Sequence, residues 1–444
     1  MKAKLDKFTG STAIAAVIAG VMGVCPQIIG VCPQALASGF GLYEASAKTY
    51  ALGGAVMGKA VDASANFHNP ATLTDLTNVT VSLGFMTEHP RGRMKVDSAG
   101  GGSGGGNYYH MDPGTFVLPS LQMAIPLPWD FSFGLSIMPE YGLGSAYDES
   151  WALSNNSKET TVTSFTINPN IAYKITDKWS VAGGLRFLYF DFEQYSNPWA
   201  YTMVGGRQFC LGRLNNRLKG DNSMKDFGYQ IGTKYDIFDN FSVGAVYKSQ
   251  TLVHVNGKSE TSLREPGVLG AAYGVQAADT INGPADTELM LPQSVTGGFN
   301  WDITDTVHLG GMVGWTEWSS VDVLDFNLNG THKDINLNWG DTWRFGIAPS
   351  WDFAEDWTLL ASYVFETDCT CDQESTMLPG SKRHMISLGL DWRVDDHWSC
   401  CLTYGMILMD GQMSQARGEY NELWNYEAHR AISHAAGFTV TYQF

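Results

Sequence analysis

The stretch Phe438-Thr-Val-Thr-Tyr-Gln-Phe444 ends the chain, and apolar or aromatic side chains alternate with polar ones along it. A period of two is typical of a β-strand with one apolar face. A last strand of this kind, ending on a C-terminal Phe, is typical of outer-membrane β-barrels. Because an edge strand of a soluble protein can show the same alternation, the other end of the chain has to distinguish the two interpretations.

The N-terminus predicts a secretory signal peptide over residues 1–37. Three Lys residues precede an apolar stretch at about residues 13–24, and Ala35-Leu-Ala37 offers a small-residue cleavage site. A lipoprotein anchor is the alternative, because Cys25 and Cys32 lie in the same segment. Each of these cysteines follows a Val, where a lipoprotein site requires a small residue, so we expect cleavage near Ala37 and export.

Composition limits how the mature chain can enter a membrane. No later run approaches the roughly 20 apolar residues that a membrane helix needs, so the chain would have to cross as strands. The 49 Gly, 12% aromatic and 16% charged residues suit a large sheet protein. The formal charge of −17 becomes more negative when the Lys-rich signal peptide is removed, which argues against nucleic acid as a partner.

The cysteines of the mature chain predict neither a disulfide framework nor a metal site. They number five, at positions 210, 369, 371, 400 and 401. Cys369 and Cys371 are expected near the outer end of one strand, and Cys400 and Cys401 near the inner end of another, so a bridge between the pairs is not expected. No set of four ligands has a recognised spacing. We therefore predict no metal and no cofactor.

Two kinds of connection alternate along the chain from residue 78. Short segments that each contain Asp predict hairpin turns, at residues 128–130, 176–178, 238–240, 304–306, 354–356 and 394–396. Long polar or Gly-rich segments lie between them, near residues 88–113, 141–159, 195–223, 252–286, 320–337, 367–380 and 410–430. This alternation predicts an all-β fold, a 14-stranded antiparallel transmembrane β-barrel with short turns in the periplasm and long loops outside.

Alternation within the predicted strands indicates which face meets lipid. One face of the strand near residue 185 carries Val181, Leu185, Phe187 and Tyr189, and the other carries Ser180, Ala182, Gly184 and Arg186. The odd-numbered residues of 357–365 and the even-numbered residues of 398–408 repeat the apolar face. Trp at the end of a strand nearest a short turn is typical of an interfacial aromatic girdle.

A barrel of this size predicts a plug. About eight strands already leave just enough room for side chains to fill the interior, so 14 strands enclose space that needs another occupant. Residues 38–77 are rich in Gly and Ala and lack a strand period. A disordered tail would be more polar and charged. We therefore predict that residues 38–77 form a small folded hatch inside a barrel of residues 78–444.

An ordered series of short motifs resembles the FadL-type outer-membrane transporters of long-chain fatty acids and other hydrophobic compounds. The motifs span nearly the whole mature chain: Ser38-Gly-Phe-Gly-Leu-Tyr-Glu44, Ala51-Leu-Gly-Gly54, Asn69-Pro-Ala71, Tyr141-Gly-Leu143, Phe227-Gly-Tyr-Gln-Ile-Gly232, Val246-Tyr-Lys-Ser249, Leu291-Pro-Gln-Ser294, Trp339-Gly-Asp-Thr-Trp343 and Arg383-His-Met-Ile-Ser-Leu-Gly389. The resemblance implies passive diffusion of a hydrophobic molecule through a hatch-plugged barrel with lateral exit. Aromatic hydrocarbons are the alternative cargo to fatty acids.

Two long loops are the expected points of ligand access. The third loop carries Phe209, Leu211, Leu214 and Leu218 among four cations, a pattern that predicts an amphipathic helix beside a groove. Its cations, Arg207, Arg213, Arg217 and Lys219, could hold a carboxylate or contact lipopolysaccharide phosphates. The fourth loop is unusually apolar for an external loop, with Val268, Leu269 and Tyr273. The resemblance implies a first binding groove between these loops.

Further site residues are expected inside the barrel. Phe40 and Leu42 either touch the bound chain or pack the hatch. Asn69-Pro70-Ala71 either seats the hatch as a structural turn or contacts the ligand. Arg186 faces the lumen and either binds a ligand carboxylate or pairs with an acidic lumen residue, since an uncompensated buried cation is costly.

The third strand contains Gly134 and Pro139, residue types that permit a bulge or kink in a sheet. In the family that this chain resembles, a kink in this strand is thought to let ligand leave sideways, so we expect a lateral gate here. The chain departs from the family pattern at Gly380-Ser-Lys-Arg383, where acidic residues are usual, and in the insertion Gly100-Gly-Gly-Ser-Gly-Gly-Gly106. The insertion lacks the Lys-Ser/Thr of a phosphate-binding loop, so we interpret it as an external loop.

The expected partners are a hydrophobic ligand, outer-membrane lipid and lipopolysaccharide, and the barrel assembly machinery through Phe444. An outer-membrane enzyme is one alternative, but His384, His397 and His434 lie in different strands and no nucleophile motif is nearby. A surface adhesin is the other alternative, although an adhesin has no need of a hatch.

Overall fold

The computed structural model describes residues 39–98, 107–112, 114–148, 150–151, 153–155, 157–204, 207–266, 281–321, 323–328, 331–370, 381–410, 412–417 and 423–444. The predicted signal peptide, the Gly-rich insertion at 100–106 and Cys371 lie outside the described residues. Of the other cysteines, Cys369, Cys400 and Cys401 form no disulfide.

Short helices occur before the first strand and in one connection. They are α1 (Ala47–Ala51), α2 (Ala65–His68) and two 3₁₀ helices, Pro70–Asp75 and Trp318–Ser320. Ser46 caps α1 by accepting a hydrogen bond from the backbone nitrogen of Thr49. No helix in the described part of the chain has the length and apolar character that a membrane span requires.

The remaining regular structure is one sheet. Its first strands are β1 (Thr80–Ser98), β2 (Asn107–Met111), β3 (Phe116–Pro126), β4 (Phe131–Met138), β5 (Gly142–Ala146), β6 (Glu159–Thr176), β7 (Trp179–Ser196), β8 (Trp199–Val204), β9 (Arg207–Asp221), β10 (Asp226–Phe238), β11 (Phe241–Lys248) and β12 (Thr251–Pro266). They are followed by β13 (Ile281–Leu291), β14 (Ser294–Asp302), β15 (Val307–Thr316), β16 (Val323–Leu328), β17 (Thr331–Asn336), β18 (Thr342–Ala354), β19 (Trp357–Glu366), β20 (Arg383–Arg393), β21 (Trp398–Met409), β22 (Gln412–Arg417) and β23 (Leu423–Gln443).

Fourteen of these strands close a barrel. In order they are β1, β3, β4, β6, β7, β10, β11, β14, β15, β18, β19, β20, β21 and β23, each paired antiparallel with the next. Antiparallel pairing of β23 with β1, from Thr80 opposite Gln443 onward, completes the circle. The six predicted short turns all join consecutive barrel strands. The 14-stranded antiparallel barrel predicted from the sequence is therefore confirmed.

The nine other strands lie in the long connections, which the sequence predicted to be loops. In their described residues, six of the seven long connections contain strands that prolong the barrel beyond its wall, namely β2, β5, β8, β9, β12, β13, β16, β17 and β22. The helix predicted in the third long loop is wrong, since residues 207–221 form β9, which pairs with β7, β8 and β12. Strand pairing satisfies the backbone of these long polar segments.

The two faces of the wall follow the predicted alternation. On β7, Leu185 and Phe187 are exposed, whereas Arg186 and Leu188 are buried. The same parity holds on β19, β21 and β23, where Leu359, Leu402 and Phe438 are among the exposed side chains. Exposed Trp side chains collect at the end of the barrel with short turns, namely Trp129, Trp179, Trp301, Trp351, Trp392 and Trp398. This distribution is that of an outward apolar band with an aromatic girdle.

The hatch, described here as residues 39–77, lies within the barrel, and its backbone touches the inner wall. A Cβ atom at Gly244 of β11 would overlap the carbonyl oxygen of Met57, and one at Gly310 of β15 would overlap that of Ala55. Helix α1 packs against β19, β20, β21 and β23, and the 3₁₀ helix Pro70–Asp75 against β4, β6, β7 and β10. Side chains on opposite sides of the barrel therefore hold the hatch.

Candidate ligand-binding site

The site begins at Phe40, near the start of the hatch. Its ring is 1% exposed and lies among four aromatic side chains from the wall and its extensions. Centroid separations are 5.0 Å to Trp318, 5.9 Å to Tyr141, 6.1 Å to Trp339 and 6.3 Å to Phe190. These distances fall in the range of favourable aromatic pairs. The Phe40 ring is therefore held in position by its aromatic neighbours.

Backbone hydrogen bonds place the segment that carries Phe40. The nitrogen of Leu42 donates to the oxygen of Glu140 at 2.8 Å, and the nitrogen of Gly142 donates to the oxygen of Phe40 at 2.8 Å. Gly41 forms an antiparallel bridge with Tyr141. The start of the hatch therefore adds to the edge of the sheet next to β5, as a short extra strand.

An apolar cavity lies against Phe40. It is small, with a volume of about 20 Å³, and is lined by Phe40, Val162, Phe190, Phe192, Val255, Thr287, Leu289, Leu324 and Phe326. A second small space, also of about 20 Å³, shares Phe192, Val255 and Phe326 with it and extends to Leu218 and Lys219. Their shared lining places apolar side chains between the outer strands β9 and β12 and the hatch. Ligand pockets typically have a predominantly apolar and aromatic lining of this kind.

Two indole groups in the aromatic cluster have unused hydrogen-bond donors. Trp318 and Trp339 are buried, their rings are 5.6 Å apart, and neither Nε1 atom has an acceptor among the described residues. A buried donor without a partner costs about 1 to 3 kcal/mol. Tryptophan N–H groups usually find a partner when buried. The pair could therefore donate hydrogen bonds to a polar group of a bound molecule.

A buried ionic cluster adjoins the aromatic one through Tyr141. Arg186 lies 2.8 Å from the Glu140 carboxylate, and Lys248 lies 3.1 Å from the same Oε1 atom. Arg186 also donates to the hydroxyl of Tyr141 at 3.4 Å. Of the two roles expected for Arg186, the structure shows pairing with an acidic lumen residue. One carboxylate faces two cations, so the cluster has an excess of positive charge.

The wall is irregular where β4 meets β5. The ladder to β6 stops at Met138 opposite Thr166 and resumes at Gly142 opposite Thr163, so β4–β5 has one extra residue at this bulge. The hydroxyl of Ser164 accepts hydrogen bonds from the nitrogens of Glu140 at 3.3 Å and Tyr141 at 2.7 Å. Pro139, which lacks an N–H, lies at the start of this bulge.

Pairing between β3 and β4 also ends next to this bulge. In the described part of the chain, the β3–β4 ladder runs only as far as Leu121 opposite Ile137, and residues 116–120 of β3 pair with β1 alone. The edge left on the other side is the one that residues 40–42 of the hatch occupy. The wall therefore has an interrupted seam that the hatch partly covers.

The structure places the other predicted residues at different points. Leu42 is buried in a separate apolar cluster and does not line the cavity. Gly134 lies in a regular ladder, opposite Ala124 and Asn170, and a Cβ there would overlap the side chain of Asn66. Gly134 thus makes room for the hatch, and the bulge belongs to Pro139.

The predicted turn at residues 69–71 contacts both the hatch and the wall. Asn69 donates to the oxygens of Met57 at 2.6 Å and Thr233 at 3.0 Å, and its Oδ1 accepts from Ala71 at 3.2 Å. Pro70 begins the 3₁₀ helix. These contacts are structural, and none of the three residues lines the cavity.

The predicted access residues divide into three groups. Leu214 is on β9 and lines neither space, whereas Leu218 on the same strand lines the second space. Phe209 and Leu211 are on the same strand, and their side chains lie outside the described part. The fourth-loop residues Val268, Leu269 and Tyr273 also lie outside the described residues.

The cations of the third long loop are largely engaged within the protein. Arg217 donates to Glu193 at 2.6 Å, and Lys219 donates to the same carboxylate at 3.3 Å. At Arg383, where the chain departs from the family pattern, the guanidinium pairs at 2.5 Å with Glu366 of the neighbouring strand. Glu366 lies directly opposite Arg383 in the β19–β20 ladder, so the buried guanidinium has an acidic partner.

Several site residues were not predicted from the sequence. Trp318, Trp339, Glu140 and Lys248 come from separate connections and strands. Trp339, Tyr141 and Lys248 lie within motifs that carry the resemblance, and this was the signal that could have identified them. Trp318 has no comparable signal, because its role depends on contact with Phe40.

Comparisons with known proteins agree with this architecture. The chain is 25% identical over 410 residues to outer membrane protein P1 of Haemophilus influenzae strain Rd, covering 84% of this chain and 86% of that protein. It is 24% identical over 431 residues to a long-chain fatty acid transport protein of Escherichia coli O6:H1, covering 89% and 92%.

Solved structures share the fold. A FadL homologue of Pseudomonas aeruginosa superposes with a TM-score of 0.78 at 17% identity, over 91% of this chain and 100% of that one. The toluene transporter TodX of Pseudomonas putida gives 0.70 at 17% identity, over 90% and 98%. The family model of outer membrane protein transport proteins (OMPP1/FadL/TodX) matches residues 28–444. The chain therefore belongs to the OmpP1/FadL/TodX family of outer-membrane transport proteins.

Proposed function

We propose that this protein carries long-chain fatty acids, or amphipathic molecules like them, across the outer membrane by passive diffusion. Ligand enters among the outer strands, binds in the cavity against Phe40 and leaves sideways through the wall near Pro139. The apolar cavity in contact with the hatch carries the proposal. Burial of an alkyl chain supplies affinity of roughly 0.8 kcal/mol per CH₂.

The polar groups beside the cavity favour an amphipathic ligand. The unpaired Nε1 atoms of Trp318 and Trp339 and the excess positive charge of the Glu140 cluster would suit a carboxylate head. An aromatic hydrocarbon is the second candidate cargo, because a solved structure with this fold is a toluene transporter. A hydrocarbon would use the apolar lining and leave the indole donors unused.

The hatch and the wall seam together support a lateral exit. Residues 38–77 are the proposed hatch, and residues 78–444 are the proposed barrel. Residues 40–42 pair with the edge beside the bulge at Pro139, where residues 116–120 of β3 pair only with β1 among the described residues. Movement of this short segment would expose the cavity to the seam. Gly134 serves this mechanism by seating the hatch.

Other partners follow from the location in the outer membrane. We propose that the outward face contacts lipopolysaccharide and that the assembly machinery recognises the last strand through Phe444, whose side chain is exposed at the barrel end. We propose no catalytic activity: His384 and His434 each share a hydrogen bond with a Tyr hydroxyl, at 2.8 Å and 2.7 Å, on the outward face. Neither pair contains a nucleophile suited to hydrolysis.

The experiment that tests the proposal is ligand identification on the detergent-extracted protein. Native mass spectrometry and lipid extraction would identify what co-purifies, and competition with a radiolabelled C16 or C18 fatty acid would measure its binding. Phe40→Ala is the test variant, and Phe85→Ala, which alters an outward-facing Phe, is the matched control.

We expect saturable fatty-acid binding that the Phe40 variant loses and the Phe85 variant keeps. Equal binding by both variants would exclude the cavity at Phe40 as the site. A different apolar molecule in the extract, with no fatty-acid binding, would assign the transport function to that compound instead.

A further inference from the structure

The outward face of β1 and β2 carries a concentration of basic side chains on an otherwise acidic protein. Even-numbered residues of β1, such as Met86 and Met94, are buried in the lumen. The odd-numbered residues therefore face outward, and Arg91 and Arg93 are exposed there. Exposed His110 pairs with Arg93 across the β1–β2 ladder. We call Arg91, Arg93 and His110, with the neighbouring His89 and His434, the outer basic row.

Strand geometry sets the height of this row relative to the membrane. Arg91 is opposite Ile432 on β23, and Val81 is opposite Tyr442, which lies beside the girdle residue Trp398. These ten ladder positions rise roughly 25 Å in a strand tilted by about 40°. The outward apolar band of such barrels is about 25 Å tall. Arg91 and Arg93 therefore lie where the outer-leaflet head groups begin.

Among the described residues, the two arginines of the row have only weak neutralising partners. Within the described part of the chain, Arg91 forms an ion pair with Asp112 at 3.9 Å, and both side chains are more than half exposed, so the attraction between them is weak. Arg93 lies over the ring of Tyr108 at 4.7 Å from the centroid, which orients the guanidinium and leaves its donors available. The cations of β9 differ, because Glu193 engages Arg217 and Lys219.

We propose that the outer basic row binds the phosphate groups of an outer-leaflet glycolipid. The arginine guanidinium can donate two parallel hydrogen bonds to one phosphate group, and basic residues at a membrane surface attract anionic head groups. Below the row, Leu83, Phe85 and Phe438 present an apolar surface on which the acyl chains of the same lipid can lie. The row is thus the specific site of the lipopolysaccharide contact proposed above. This proposal rests on the location of the protein in the outer membrane and does not depend on which compound is transported.

The test measures lipid retention by purified protein. Native mass spectrometry would follow titration with bisphosphorylated lipid A, its monophosphorylated form and inorganic phosphate. The double variant Arg91→Gln/Arg93→Gln removes two cations from the row. The control Arg217→Gln/Lys258→Gln removes the same charge from β9 and β12, which extend beyond the barrel wall. Folding of each variant is checked by the heat-dependent shift of its gel band.

We expect the wild type to retain bisphosphorylated lipid A more strongly than the monophosphorylated form, and millimolar inorganic phosphate not to displace it. The row variant should bind about tenfold to thirtyfold more weakly, whereas the control should match the wild type. Equal loss in both variants, or unchanged retention in the row variant, would overturn the proposal. If the row variant does not fold, equal binding of the two lipid A forms by the wild type would overturn it.

Discussion

The backbone nitrogen of Leu42 donates a 2.8 Å hydrogen bond to the carbonyl oxygen of Glu140, and so connects the start of the hatch to the residue that follows Pro139. The same Glu140 holds Arg186 and Lys248 through its side chain. The aromatic cavity, the ionic cluster and the irregular wall therefore meet within three consecutive residues, 139–141.

Removal of the Leu42 donor should loosen the cavity. Leu42→Pro cannot donate to Glu140, and it should weaken fatty-acid binding by roughly tenfold because Phe40 loses its positioning. Leu42→Ala keeps the backbone N–H and is the control. Equilibrium binding of a radiolabelled fatty acid measures both. Equal affinities in the two variants would show that side-chain packing, and not the backbone pairing, positions Phe40.

Straightening of the kink should block release. Pro139→Val permits regular pairing of this strand, so uptake of a fluorescent fatty acid by whole cells should fall severalfold while binding by the purified protein is unchanged. Pro349→Val on β18, remote from the bulge, is the control. Unchanged uptake in the Pro139 variant would argue against lateral exit at this point.

Loss of one indole donor should discriminate between ligand classes. Trp318→Phe keeps an aromatic ring but removes the N–H, and the affinity for a fatty acid should drop about tenfold or more, because a hydrogen bond to a charged group contributes about 1.5 to 3 kcal/mol. Binding of toluene, which has no acceptor, should change little. Trp343→Phe on the outward face is the matched control. An equal loss for both ligands would assign Trp318 a packing role only.

Crowding between hatch and wall should destabilise the hatch. A methyl group at Gly244 would overlap the carbonyl oxygen of Met57, and overpacking of this kind costs about 1 to 3 kcal/mol. Gly244→Ala should make residues of the hatch more sensitive to protease. At Gly297 on the outward face, the nearest atom to an added Cβ is 3.8 Å away, so Gly297→Ala should resemble the wild type. Equal protease resistance of the two variants would contradict the close packing seen here.

Local patterns were sufficient to predict the barrel but not its outer extension. The period of two in residues 438–444 and the Asp-containing turns report strand faces and hairpins directly, because both arise between neighbouring residues. Local patterns did not predict the structure of the third long loop. Leu214 and Leu218 are four residues apart, a spacing that lies on one face of a helix and equally on one face of a strand. Pairing of β9 with β7 and β12 decided between them.

The sequence by itself determined the strand number, the face of each strand toward lipid and the presence of an N-terminal segment able to fill the lumen. Only the tertiary structure decided where the site lies. Phe40, Tyr141, Trp318 and Trp339 are far apart along the chain, yet the rings of the other three each lie within about 6 Å of the Phe40 ring. Closure of the barrel brings these side chains together. Their positions depend on strand register and barrel curvature, which local sequence patterns do not specify.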